Sequence, residues 1–243
     1  MWLWFYKLAS PPHAYRLLGL WRPWLLWPAI LLMIIGVYGG LMVAPADYQQ
    51  KDAFRIMYVH VPSASLSLMV YAMMAIAAAI GVIWRIKLAH AVAAACAPIG
   101  AWFTVLALVT GSIWGKPMWG TWWEWDPRLT SELILLFLYL GYMALRASFD
   151  DVQRADRASA ILAIVGVVNV PIVKYSVVWW NSLHQGPSLS LVNKSAIDSR
   201  MEWPLLLLML AFMLYFGAIL CTRVRSEILR RERNTVWLTE TSI

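Results

Sequence analysis

Four histidines occur in the 243 residues, and two of them border long apolar runs: His60, within Tyr58-Val-His60-Val-Pro62, and His184, within Trp179-Trp-Asn-Ser-Leu-His184. Imidazole is a common metal ligand and a proton carrier near neutral pH. Between the two in sequence lies Trp114-Gly-Lys-Pro-Met-Trp119-Gly-Thr-Trp122-Trp123-Glu-Trp125-Asp126-Pro127-Arg128, with five tryptophans in a dozen residues. A single histidine at an interface is ordinarily just hydrogen-bonded, and one at a helix C-terminus ordinarily offsets the macrodipole. Two histidines on one face with an aromatic shelf between them meet the needs of axial ligation of haem iron. The imidazoles must then approach to about 4 Å across the metal, twice a typical metal–imidazole bond.

The tryptophans have an ordinary explanation as an aromatic belt, but a belt needs only one or two anchors per helix end. If the segment is helical from Trp119 on, then Trp119, Trp122, Trp123 and Asp126 fall at i, i+3, i+4 and i+7 and form one face. That face suits a planar aromatic ligand, because stacked rings gain more than their buried area alone provides. Asp126-Pro127 also reads as an N-cap followed by the first residue of a helix. Arg55, Lys116 and Arg128 fall on the same face. Their spacing fits two roles equally: pairing with two carboxylates of a ligand, or offsetting Asp47, Asp52, Glu124 and Asp126.

The elements that carry these residues are set by composition. Of the residues, 61% are hydrophobic and 14% charged, which excludes an ordinary soluble domain. Six stretches meet the roughly 20 residues needed to cross a hydrocarbon core, at residues 24–43, 63–84, 91–112, 129–147, 158–178 and 203–222. In lipid each must be helical, so the expected fold is all-α, a polytopic membrane protein of six transmembrane helices plus short interfacial helices. Residues 1–23, with Trp2, Trp4, Phe5 and Trp21, read as a cytoplasmic interfacial segment, residues 113–128 as a periplasmic tryptophan-rich loop, and residues 223–243 as a cytoplasmic tail. Ala44-Pro-Ala46 is not read as a leader cleavage site, because the apolar run before it is too long. The fifth helix, extended to His184, would be roughly 40 Å long and would end at Gly186-Pro187.

The formal charge of +7 reflects loops between apolar runs, so it reports topology and not a nucleic-acid partner. Thirteen Lys and Arg belong to one alternate set of loops and termini and seven to the other, which assigns both termini to the cytoplasm and His60, His184 and the tryptophans to the outer face. Cys96 and Cys221 are too far apart for a redox or zinc motif.

The run from Trp114 to Leu135, together with Ala44-Pro-Ala-Asp-Tyr48, His60-Val-Pro62 and Trp179 to Gly186, resembles the haem exporter protein C family of the bacterial cytochrome c maturation system. The resemblance covers roughly residues 11 to 225. It implies a haem-handling membrane protein and not a classical enzyme, located in the inner membrane with its working face in the periplasm. It further implies a transiently held, non-covalent b-type haem with His60 and His184 as axial ligands. Trp114, Trp119, Trp122, Trp123, Trp125, Asp126, Arg55 and Arg128 would surround the haem. The implied partners are a periplasmic haem chaperone, the ATPase and membrane subunits of an ATP-driven transporter, a small single-span subunit known as haem exporter protein D, and membrane lipid. The chain has no phosphate-binding GxxxxGK[ST] loop, so an ATP-driven step belongs to another subunit. Three rival readings are a transporter subunit that never touches haem, a cytochrome b-like electron-transfer anchor, and a glycosyltransferase. The second ordinarily has histidines inside its helices, and the third needs acidic metal ligands and a large soluble domain.

Overall fold

The computed structural model describes residues 10–184 and 197–237. Its elements are α1 (Pro11–Tyr38), continued by a π-helical turn over Gly39–Val43, a 3-10 turn Asp52–Ile56, α2 (Met57–Trp84), α3 (Lys87–Trp119), α4 (Pro127–Ala147), α5 (Val152–Gly166), α6 (Asn169–Trp179) and α7 (Ser199–Glu232). Six segments are long and apolar enough to cross a membrane, with α5 and α6 forming the two halves of one of them. The all-α, six-span expectation therefore holds. Among the described residues the only β feature is an isolated bridge between Asp47 and Lys51.

The helices reach beyond the spans read from hydropathy. Residues 11–23, expected to lie apart on the membrane surface, are the first turns of α1. Pro11 and Pro12 occupy its opening positions, where a missing N–H costs nothing, and Pro23 and Pro28 are accommodated farther along. The fifth segment departs from its expected course in two ways. It breaks at Val167-Val168, and its second half ends at Trp179 with Trp180 extended, so His184 is not on a helix end and the macrodipole reading lapses. Gly186-Pro187 lies outside the described residues.

The core runs between α2, α3, α4 and α5, where Val70, Tyr71, Met74, Cys96, Leu135 and Tyr139 are fully enclosed. The outward faces carry exposed Trp21, Trp24, Trp27, Ile76, Trp102 and Phe137, as lipid requires. At one end of the bundle, α4, α5 and α7 are joined by buried ions. Arg146 bonds Asp156 and Glu227, and Arg231 bonds the same two carboxylates at 2.7–2.8 Å. Two arginines shared between two acids leave none of these four charges without a partner. Removing one member is costly, because the others then lie in a low dielectric uncompensated. Asp156→Asn is expected to lower stability by about 3–5 kcal/mol, measured by thermal unfolding in detergent; a loss under about 1 kcal/mol would show the cluster to be solvated.

Candidate functional site

His60 lies in the first turn of α2, directly after the 3-10 turn. Its Nδ1 is 3.1 Å from Thr110 Oγ1 on α3, and that hydroxyl spends its proton on the carbonyl of Leu106 at 2.6 Å. Thr110 must therefore accept, so Nδ1 of His60 carries the hydrogen and Nε2 keeps its lone pair. The ring rests over Gly111, where an added Cβ would come within 3.0 Å of Cε1. Trp114, one helical turn on from Thr110, meets the same ring edge to face at 5.7 Å. Its indole N–H donates to Gln50 Oε1 at 2.9 Å. Gln50 is held in turn by Asp47, whose carboxylate accepts the backbone N–H groups of Gln49 and Gln50. The first loop thus braces Trp114, which braces His60.

His184 is built differently. Asp126 has an extended backbone ahead of Pro127, and its Oδ1 accepts the Leu129 N–H at 2.8 Å, which makes it the N-cap of α4. Its other oxygen accepts from the Ser182 hydroxyl and lies 3.4 Å from His184 Nδ1. The Ser182 oxygen also accepts the His184 backbone N–H. One carboxylate therefore starts a helix and orients an imidazole, so the capping and functional readings of Asp126 describe the same atom group. Burial would raise the Asp126 carboxyl, but the hydrogen bonds from Leu129, Ser182 and His184 outweigh it and hold the group below its ordinary range. Burial lowers His184, Asp126 opposes this, Arg128 adds to it, and the net shift is downward. A neutral imidazole with its proton on Nδ1, facing Asp126, keeps Nε2 as the free donor atom. Among the described residues the close ring contacts of both histidines are at Nδ1, and the Ala107 carbonyl also lies within hydrogen-bonding reach of the His60 ring. Trp119 meets the His184 ring edge to face at 4.9 Å.

The tryptophan segment is not a helix. Gly120 takes the left-handed conformation (φ 78) that ends α3, its N–H bonded to Lys116, and Pro127 disfavours helical backbone at Asp126. The i, i+3, i+4, i+7 face therefore does not form. Trp114 and Trp119 stand on the last turns of α3, each against one histidine, while Trp122, Trp123 and Trp125 sit on an irregular strap. Ser112 and Thr121 tie this strap down through the carbonyls of Trp122 and Trp123. Trp122 and Trp125 are exposed, and Trp123 packs against Trp125 at 5.5 Å with its indole N–H buried and without an acceptor.

The basic residues divide by what they touch. Arg55 is fully engaged, bonding Asp52 at 3.0 Å and the carbonyls of Gly40 and Ala44, so it closes the first loop. Lys116 donates to the Gly120 carbonyl. Arg128 makes one long bond, 3.4 Å to the Val173 carbonyl, and among the described residues no carboxylate lies within salt-bridge distance of it. His60, His184 and Arg128 are all within electrostatic range of one another. The sequence reading missed Gln50, Thr110 and Ser182. Thr110 had a faint signal, lying four residues before Trp114 on one helix face; Gln50 and Ser182 had none.

The family model for heme exporter protein C matches residues 4–239. The chain belongs to that family. It is 50% identical to heme exporter protein C of Escherichia coli K12 over 240 residues, covering 99% of this chain and 97% of the relative. It is 47% identical to the Bradyrhizobium diazoefficiens protein of the same name, over 97% and 89% of the two chains, and 41% identical to that of Paracoccus denitrificans, over 93% and 94%. The family is one of transport and maturation subunits rather than classical enzymes.

Asp126→Asn should keep the cap on α4, because asparagine caps nearly as well, with stability within about 0.5 kcal/mol of the parent, whereas Asp126→Ala should cost about 1 kcal/mol. The His184 titration midpoint, followed by ring-proton NMR, should fall further in the Asn variant because the group that raises it is gone. An unchanged or higher midpoint would mean that Asp126 does not orient the ring.

Proposed function

We propose that the chain holds haem on the periplasmic face of the bacterial inner membrane, with His60 and His184 as the axial ligands, and passes it to a periplasmic haem chaperone. Membership of the heme exporter protein C family, concerned with haem handling in cytochrome c maturation, supports the coarse role. The observation that carries the finer reading is the matched state of the two histidines. Each has Nδ1 placed against a fixed acceptor, Thr110 or Asp126, and among the described residues no hydrogen bond is seen at Nε2 of either. Ligated histidines are oriented in this way by the hydrogen bond on their other nitrogen.

The remaining donors fit the same cargo. Among the described residues Arg128 makes one hydrogen bond and no close ion pair, with Glu132 and Asp126 acting on it only at longer range, so it keeps N–H groups to offer a propionate. The buried Trp123 N–H lacks an acceptor, and exposed Trp122 and Trp125 offer apolar ring surface beside it. Iron bound here supplies the affinity for two imidazoles, and the protein's part is to fix those rings, meet the carboxylates and leave one edge open for transfer. Haem held by side chains alone is non-covalent and releasable, as a transient b-type cargo must be. The excess of basic residues in the loops at the other end supports a periplasmic position for this site. The family name supports a haem exporter as the setting, and we assign the ATPase, the transporter's membrane subunits and the single-span haem exporter protein D as partners.

The purified chain should show a Soret band that is lost or strongly shifted in His60→Ala and in His184→Ala. Arg128→Ala should keep the band position while weakening haem binding by roughly tenfold to a hundredfold, the worth of a charged hydrogen bond. Unaltered spectra in both histidine variants would refute the ligand assignment and favour a transporter subunit that never touches haem.

A further inference from the structure

At the far end of the bundle from His60 and His184, the ends of α2, α3, α5 and α7 enclose a groove of about 1060 Å³. Seven basic side chains against four acidic ones line it. Two of its lining residues, Asp156 and Arg231, belong to the buried ion cluster and are already satisfied. Among the described residues Arg85, Lys87, Arg154, Arg157 and Arg233 have no ion-pair partner. Of the groove's acids, Asp151 is occupied as the N-cap of α5.

Two further observations separate this groove from loops that merely set topology. Arg85 ends α2 with φ 56 and ψ 34, the left-handed conformation that glycine adopts freely and arginine does not. An arginine in that conformation puts a cation on the rim where glycine would put nothing. Exposed apolar residues adjoin the lining in sequence: Val152 itself lines the groove, Ile83 and Trp84 directly precede Arg85, and Phe149 directly precedes Asp150. A free anion needs only the charge, whereas a ligand with a phosphate and acyl chains uses both parts. Basic pockets between helix ends at headgroup depth are sites for such lipids.

We propose that this groove binds the headgroup of an anionic phospholipid, with Arg85, Arg154 and Arg157 on the phosphate and the acyl chains lying along Ile83, Trp84 and Val152. The proposal stands apart from the haem assignment, since the site is at the other end of α2.

Native mass spectrometry of the full chain, released from nanodiscs of phosphatidylcholine mixed with phosphatidylglycerol or cardiolipin, tests it. The anionic lipid should be retained roughly tenfold or more over phosphatidylcholine. The triple variant Arg85→Gln, Arg154→Gln, Arg157→Gln should lose that preference, and the corresponding lysine variant should keep most of it. Arg223→Gln, an exposed arginine that does not line the groove, should behave as the parent. All three groove arginines are exposed and without ion pairs, so the variants should fold. Circular dichroism checks this, and the single variant Arg157→Gln should give an intermediate retention. Equal retention in the parent and the glutamine variant would overturn the proposal. So would protection of the detergent-solubilised protein against thermal unfolding by inorganic phosphate, or by an acidic peptide, to the same degree as by phosphatidylglycerol.

Discussion

Hydrocarbon offers no partner to a backbone N–H or C=O, and that constraint organises this chain. Each of the six crossings must satisfy its own hydrogen bonds, so it must be a helix, and the spans have little freedom for irregular geometry. The irregular backbone that can shape a site is pushed to the helix ends. His60 in the first turn of α2, Trp114 and Trp119 in the last turns of α3, and Asp126 at the start of α4 all obey this rule. Trp122, Trp123, Trp125 and His184 leave the helices, and His184 is held by side-chain hydrogen bonds.

Asp126 shows how one group serves both fold and site. As N-cap it meets an orphan N–H at the start of α4, a need that exists in any helical protein. Its second oxygen is free to reach Ser182 and His184, which fixes a strap 56 to 58 residues away in sequence. The stability of a helix start and the orientation of a ligand-type imidazole are thereby coupled. His60 reaches the same state by another route, through a threonine whose proton is already committed to its own helix. Two unrelated supports favour the same tautomer, and the proposed ligation through Nε2 rests on that match.

The two ends of the bundle are electrostatically unlike. At the histidine end the polar groups are few and directional, and Arg128 is left with donors to spare. At the other end arginines and carboxylates form a closed cluster, and the surplus cations line a groove. The charge asymmetry that sets topology is therefore also the raw material of a distinct surface.

Hydropathy run lengths settled the all-α class and the six crossings, because a lipid-crossing segment has one backbone solution. The candidate histidines and tryptophans were legible too, since such residues are conspicuous among apolar runs. Gly120 and Pro127 are local signals that break a Trp119–Asp126 helix, and they override the helical periodicity of the tryptophans. Tertiary structure alone decided the rest. That Thr110 is an acceptor, that Gln50 braces Trp114, that Arg55 is consumed by carbonyls while Arg128 is not, and that His184 sits on a strap and not a helix end all depend on contacts between distant segments. A sequence specifies which groups can bond, but only packing decides which of them are near enough to do so, and how many donors each has left.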